Sequence, residues 1–263
     1  MRISMGRRPK SRESQRTRSR LKRRYEDRCG AHMTQTSQLN AAAMTVCITV
    51  LCLPWPVSVL AQENKRPADA NRGAVIAAQG SAGAPACALC HAFDGTSDTS
   101  GAFPRIDGQF ASYLEQQMRD FVSSDRMNAI MSPIAKALSP DDIADVAEYY
   151  ANRSTQFLPL PTADAAIVKK GEQLAQEGDA AKGILGCSNC HGPEGQGMPP
   201  MPYLAGQYAH YIAFTLQMWK GGFRKNSPDL MGPIAKQLDD QEITAVAAYY
   251  QQARRPAGTV GSK

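Results

Sequence analysis

The sequence predicts an all-α chain made of two copies of one small helical domain. A Cys-x-x-Cys-His pentad occurs twice, at residues 87–91 and 187–191, so the copies lie 100 residues apart. The segment Met-x-Pro-Ile-Ala-Lys-x-Leu recurs at the same spacing, beginning at Met131 and at Met231. Apolar residues in both copies follow a helical period. A repeat of this length indicates a duplicated domain.

Residues 1–61 are predicted to be a basic leader followed by a signal peptide. The apolar stretch 41–60 ends at a small-residue cleavage pattern before Gln62, which is typical of secretion. Pro54 and Pro56 interrupt it, which favours a cleaved signal over a permanent membrane anchor. The arginine-rich run 1–28 either belongs to this leader or lies upstream of a true start at Met33. His32 and three cysteines, Cys29, Cys47 and Cys52, fall in the leader.

Removal of the leader reverses the sign of the net charge. The whole chain carries +6, but residues 1–61 hold 12 basic and 3 acidic side chains. The remainder has 18 basic and 21 acidic groups and is mildly acidic. This balance gives no reason to expect a nucleic-acid partner.

The remainder is predicted to contain domain 1 at residues 62–153, a linker at 154–165 and domain 2 at 166–263. Pro159 and Pro161 mark the linker. In each copy a first helix, near 70–79 and 166–177, leads into the pentad. A middle helix is predicted from apolar residues at helical spacing: Leu114, Met118, Phe121 and Val122, then Ile212, Leu216 and Trp219.

The last helix of domain 1 is predicted to start after Ser139, because Pro140 and two acidic residues follow it. Apolar residues at helical spacing predict the buried face of this helix: Ile143, Val146, Ala147 and Tyr150. The same stripe recurs in domain 2 as Ile243, Val246, Ala247 and Tyr250.

The pentads predict two covalently attached c-type haems. Two thiols at i and i+3 can add to the haem vinyl groups, and the adjacent imidazole can bind the iron. The attachment residues are then Cys87, Cys90, Cys187 and Cys190, with His91 and His191 as iron ligands. A redox dithiol or a zinc site needs no His at the next position, and no other Cys follows residue 61.

Met131 and Met231 are the predicted second axial ligands of the two irons. Each lies 40 residues after the pentad histidine. Met127 aligns with Ser227, so it has no counterpart, and Met118 and Met218 fall in the middle helices, where core packing is the simpler interpretation. We expect the proline-containing segment to be irregular, because a loop thioether reaches an iron more readily.

Two further features have open interpretations at this point. The carbonyl of Pro104 or Pro202 either accepts Nδ1–H of the pentad histidine or belongs to an ordinary turn. The segments 108–110 and 206–208 either form an interdomain contact or simply start the middle helices. His210 is predicted to be a surface or packing residue.

The sequence resembles the dihaem cytochromes c4. The resemblance is carried by the two pentads, the run His-Gly-Pro-Glu-Gly-Gln-Gly at 191–197, Leu-Ala-Gly-Gln at 204–207, and Met231, and it covers residues 70–252. It implies two small cytochrome c domains and a periplasmic electron carrier, often membrane-associated, that passes electrons from a cytochrome bc-type or other respiratory donor to a terminal oxidase. Domain 1 departs from the pattern with Ala-Phe-Asp-Gly at 92–95, which leaves that loop's conformation open.

Two alternatives remain beside the free carrier. One is a dihaem subunit of a dehydrogenase, such as a flavocytochrome c sulfide dehydrogenase. The other is a dihaem peroxidase, which needs one iron with an open position and is disfavoured by the equivalent Met131 and Met231. We therefore predict single-electron transfer without catalysis at either iron, since His and Met fill both axial positions.

Overall fold

The computed structural model describes residues 66–98, 100–155 and 160–254, which lie within one compact unit. The predicted leader, residues 156–159 of the predicted linker and the chain end at 255–263 lie outside the described residues. The helices of domain 1 are α1 Ala70–Gln79, α2 Ala88–His91, α3 Ala111–Ser123, α4 Met131–Ala137 and α5 Pro140–Ala151. Those of domain 2 are α6 Ala165–Glu177, α7 Ser188–His191, α8 Ala209–Lys220, α9 Met231–Gln237 and α10 Asp240–Gln252.

A short antiparallel pair of strands is added in domain 2. Strand β1, Gly178–Asp179, pairs with β2, Ile184–Leu185, between α6 and α7. The described residues are otherwise helical or irregular, which confirms the predicted all-α class. No helix among these residues is long and apolar enough to cross a membrane.

The first and last helices of each domain pack directly against one another, α1 on α5 and α6 on α10. A glycine lies at each crossing. A Cβ on Gly73 would approach the carbonyl oxygen of Asp145 to 2.0 Å, and one on Gly171 would approach that of Ala245 to 2.0 Å. Only glycine lets the two backbones come this close.

The last helix of domain 1 starts as the sequence predicts, and the last helix of domain 2 has the same kind of cap. Ser139 and Asp142 form a reciprocal capping box at α5, and Asp239 and Glu242 form the same box at α10. The residues of both predicted stripes are buried, and Tyr150 and Tyr250 are at most 1% exposed. These stripes therefore form the core of each domain, together with side chains of the first and middle helices.

Two details of the sequence prediction are wrong. Val122 is 42% exposed, and α3 instead buries polar Gln117 and Asp120 beside Phe121, because this face of α3 meets domain 2. The Met-x-Pro segments are not irregular either. They form the short helices α4 and α9, in which Pro133 and Pro233 stand in the first turn, where a missing backbone N–H costs nothing.

Candidate functional site

A single continuous cavity of about 410 Å³ connects the two pentads. Its lining comes from both domains and is mostly apolar. It includes the predicted attachment and ligand residues of both copies: Cys87, Cys90, His91, Met131, Cys187, Cys190, His191 and Met231. The predicted residues of both copies thus line one shared cavity.

The pentad histidines stand at the ends of the one-turn helices α2 and α7 and are buried. Nδ1 of His91 lies 3.1 Å from the carbonyl oxygen of Pro104, and Nδ1 of His191 lies 2.8 Å from that of Pro202. Burial lowers the pKa of both imidazoles. A neutral ring that donates from Nδ1 leaves Nε2 free to bind a metal. Of the two interpretations left open for Pro104 and Pro202, the structure favours carbonyls that accept from the pentad histidines.

All four pentad cysteines are partly buried, and no disulfide joins them. Burial raises the pKa of Cys87 and Cys187. Each pair lines the cavity, as covalent attachment of a porphyrin requires.

The methionines at the cavity are more numerous than the ligands needed. Met118, Met127 and Met218 line it as well as Met131 and Met231. Met127 is 50% exposed and has no counterpart in domain 2. Met131 and Met231 are the first residues of the equivalent helices α4 and α9, so equivalence between domains favours this pair.

The interdomain end of the cavity holds two arginines that the sequence analysis missed. Arg224 is buried and Arg126 is partly buried. Each donates to a tyrosine of the other domain: Nη2 of Arg126 lies 2.7 Å from Tyr211 Oη, and Nη2 of Arg224 lies 3.3 Å from Tyr113 Oη. Both also donate to the amide oxygen of Gln117.

Arg224 and its neighbour Trp219 fit a haem because each presents an unsatisfied donor to the cavity. Within the described part of the chain, Nη1 of Arg224 and Nε1 of Trp219 are buried without a hydrogen-bond partner, and both residues line the cavity. Burial and the nearby charge of Arg126 lower the pKa of Arg224. A buried excess of positive charge is stabilised by an anion, and the propionate carboxylates of a haem supply one.

A spacing of 98 residues is the signal that identifies these residues. Tyr113 and Tyr211, and Arg126 and Arg224, are 98 positions apart, as are Gly108-Gln109 and Gly206-Gln207. Comparison at a fixed spacing of 100 misses them, because compensating loop changes shift this part of the repeat.

Two glutamines at this spacing join the domains. The side-chain amide of Gln109 pairs with the backbone N–H and C=O of Tyr203, and that of Gln207 pairs with those of Arg105. Both glutamines are 4% exposed. The predicted contact at 108–110 and 206–208 is confirmed, and the same segments lead into α3 and α8.

The loop after each pentad keeps one conformation despite its different sequence. Ala92 and Ser97 have φ of 57° and 59°, where domain 2 has Gly192 and Gly197 at 82° and 79°. The Ala92 carbonyl accepts a hydrogen bond from Tyr150 Oη at 3.2 Å. Tertiary contacts thus hold non-glycine residues in a left-handed region that they rarely adopt.

The fold and cavity define a c-type cytochrome with two sites in one chain. The family model for cytochrome c matches residues 71–153 and 168–254. The thiosulfate dehydrogenase electron acceptor of Stutzerimonas stutzeri (strain A1501) is 41% identical over 202 residues, 74% of this chain and 93% of that protein. Cytochrome c4 of Pseudomonas aeruginosa is 37% identical over 179 residues, 66% of this chain and 87% of that protein.

A solved structure is also similar. The crystal structure of reduced recombinant cytochrome c4 from Pseudomonas stutzeri matches with a TM-score of 0.63 and 30% identity, covering 71% of this chain and 100% of that one. The chain belongs to the dihaem cytochrome c4 family. It is an electron-transfer protein with two covalently bound c-type haems, one at each pentad.

Proposed function

We propose that this protein accepts electrons from a thiosulfate dehydrogenase and passes them singly to a terminal oxidase or another acceptor in the periplasm. The observation that carries the proposal is the pair of equivalent sites on one continuous cavity. The name of the Stutzerimonas stutzeri relative supports the donor. The apolar stretch before Gln62 supports export.

The proposed iron ligands are His91 and Met131 in domain 1, and His191 and Met231 in domain 2. Haem c supplies an iron that cycles between ferrous and ferric states and so takes up and releases single electrons. The residues of the chain hold the imidazoles neutral and present soft sulfur atoms on the same cavity. With His and Met both bound to each iron, no position would be left for a substrate, which argues against the peroxidase alternative.

The exposed rim of the cavity supports exchange with another protein. Leu89, inside the first pentad, is 77% exposed, and Leu185, just before the second pentad, is 67% exposed. Met127, Ile130 and Phe214 are exposed as well, and all five residues line the cavity. An apolar rim suits a transient partner, because it is readily desolvated.

The proposal is tested by mixing the oxidised protein with a thiosulfate dehydrogenase and thiosulfate and following haem reduction by absorbance. We expect rapid reduction of both haems, dependent on enzyme and thiosulfate. At least one of the rim variants Leu89→Glu and Leu185→Glu should slow it by about tenfold, since a charge at the centre of a docking surface is costly to desolvate.

Val75→Glu is the matched control for these rim variants. Val75 is also exposed, at 54%, but lies on α1 and does not line the cavity. It should leave the rate unchanged. Reduction that is no faster than with thiosulfate alone would contradict the proposed donor.

A further inference from the structure

Each pentad histidine is connected to the other domain through one peptide unit. The Pro104 carbonyl, which accepts from His91 Nδ1, belongs to the same peptide as the N–H of Arg105. That N–H donates to Gln207 Oε1 of domain 2 at 3.0 Å. The chain of hydrogen bonds therefore runs from Gln207 through one peptide to His91.

The same arrangement occurs in the opposite direction. Gln109 Oε1 accepts from the N–H of Tyr203 at 3.2 Å, and this peptide's carbonyl, from Pro202, accepts from His191 Nδ1 at 2.8 Å. The link thus occurs twice, with the domains exchanged.

Physical chemistry makes such a peptide an effective link. Its six atoms are coplanar, so an amide that holds the N–H also fixes the direction of the carbonyl. An acceptor on the N–H polarises the peptide and makes its oxygen a stronger acceptor, and burial of the glutamines keeps water from screening the effect.

The glutamine amides are themselves fixed. Nε2 of Gln207 donates to the Arg105 carbonyl at 2.8 Å, and its Oε1 also accepts from the N–H of Tyr208 at 3.0 Å. Gln109 makes the matching bonds, to the Tyr203 carbonyl at 3.3 Å and from the N–H of Phe110 at 3.1 Å. Neither side chain can rotate without losing several hydrogen bonds.

We propose that Gln207 is a positioning residue for His91 and that Gln109 is one for His191, so that each domain tunes the proposed iron ligand of the other. The inference rests on the axial roles proposed above for the two histidines. A stronger Nδ1–H bond makes an imidazole a more basic ligand, which stabilises ferric iron. Loss of either glutamine amide therefore raises the reduction potential of the haem in the opposite domain.

Gln207→Leu and Gln109→Leu test the inference in the full-length dihaem protein. The ring Nδ1–H signals of the two histidines are followed by NMR in the reduced, diamagnetic state. Gln207→Leu should move the His91 signal upfield and speed its exchange with solvent by about five- to tenfold, the scale of one lost hydrogen bond. His191 should be unchanged, and Gln109→Leu should give the reverse pattern. In a redox titration, Gln207→Leu should raise the reduction potential of the domain 1 haem only, and Gln109→Leu that of the domain 2 haem only.

Tyr208→Phe is the matched control, because it removes the interdomain hydrogen bond from Tyr208 to the Thr96 carbonyl and leaves both glutamines in place. It should move neither histidine signal. If Gln207→Leu shifts both signals equally, or only that of His191, the glutamines act merely as interface contacts and the inference is wrong.

Gln207→Glu keeps the inference testable if the leucine variant fails to fold. At low pH its protonated carboxyl group keeps both an acceptor oxygen for the Arg105 N–H and a donor for the Arg105 carbonyl, so the His91 signal should stay in place. An upfield shift would overturn the inference. Failure of the proposed function is seen separately in the wild-type protein, as haem reduction by thiosulfate that the thiosulfate dehydrogenase does not speed up.

Discussion

The proposed redox chemistry depends most on the sulfur atoms of Met131 and Met231. Each methionine begins a short helix, and its backbone N–H is anchored by a side chain: Asn128 Oδ1 at 2.8 Å for Met131, and Ser227 Oγ at 3.2 Å for Met231. The anchors differ between domains while the methionine position is the same. Because different residues hold the methionine at the same place in both domains, the shared requirement is for the methionine side chain itself.

Met131→Ala and Met231→Ala should each convert one haem to a high-spin or water-ligated form and lower its potential, because a soft thioether stabilises ferrous iron. Both variants should retain two covalent haems, since the cysteines are untouched. Visible spectroscopy and redox titration measure these changes.

Met118→Leu is the control, because Met118 also lines the cavity. It should keep a fully low-spin spectrum with methionine ligation. If both alanine variants keep that spectrum, the ligand assignment is wrong and Met118, Met127 and Met218 must be reconsidered.

Sequence patterns identify residues that repeat at constant spacing with a distinctive chemistry. The pentads and the Met-x-Pro segments satisfy both conditions. Arg126 and Arg224 do not, because a surface arginine is the ordinary expectation and only the folded chain shows that their guanidinium groups meet between the domains. Val122 shows the reverse error, since helical spacing cannot tell which face of α3 meets a second domain.

At the scale of elements, an ion cluster with no counterpart among the described residues of domain 2 joins the N-terminal end of α1 to the middle of α5. Asp145 on α5 is fully buried and accepts hydrogen bonds from Arg66, Arg72 and the backbone N–H of Asp69. Its counterpart in domain 2 is Ala245. The helix pair is predictable from sequence, but this cluster is not, because Arg66 and Asp145 are 79 residues apart.

Asp145→Asn should lower the free energy of unfolding by about 1–2 kcal/mol at pH 7. Burial opposes ionisation of Asp145, but the two arginines outweigh it and lower the pKa to about 2. The full shift from a usual value near 3.9 corresponds to about 2.6 kcal/mol, which is reduced here because both arginines are partly exposed to solvent.

The pH dependence has a definite sign. A carboxyl group whose pKa is lowered by folding stabilises the protein above about pH 4, and this stabilisation is lost as the pH falls from about 4 to about 2. Urea unfolding of both proteins should therefore show roughly half the difference at pH 3. Asp141→Asn is the control, because Asp141 faces Arg66 but is 45% exposed. An equal loss in both variants at pH 7 would contradict the role given to burial.

At the scale of the whole molecule, the interface between the domains is polar and nearly symmetric. The arginine of each domain binds the tyrosine of the other, and the glutamine of each binds the backbone of the other. Most of this arrangement lies beyond sequence analysis, since it depends on which faces of two similar domains meet. The two arginines place positive charge close to both haem sites, and each site gains an electron on reduction.

Arg224→Gln should lower the potentials of both haems, because the lost positive charge favoured the electron at either site. A charge in a partly buried interface should change each equilibrium between reduced and oxidised states by about tenfold. Redox titration followed by absorbance measures the effect. Asn226→Ala is the control. It removes the 2.9 Å hydrogen bond from Arg224 Nε to Asn226 Oδ1 without changing the charge, so both reduction potentials should stay unchanged. Because the charge acts through space and each glutamine acts through one peptide, a shift confined to one haem in Arg224→Gln would contradict this account of the interface.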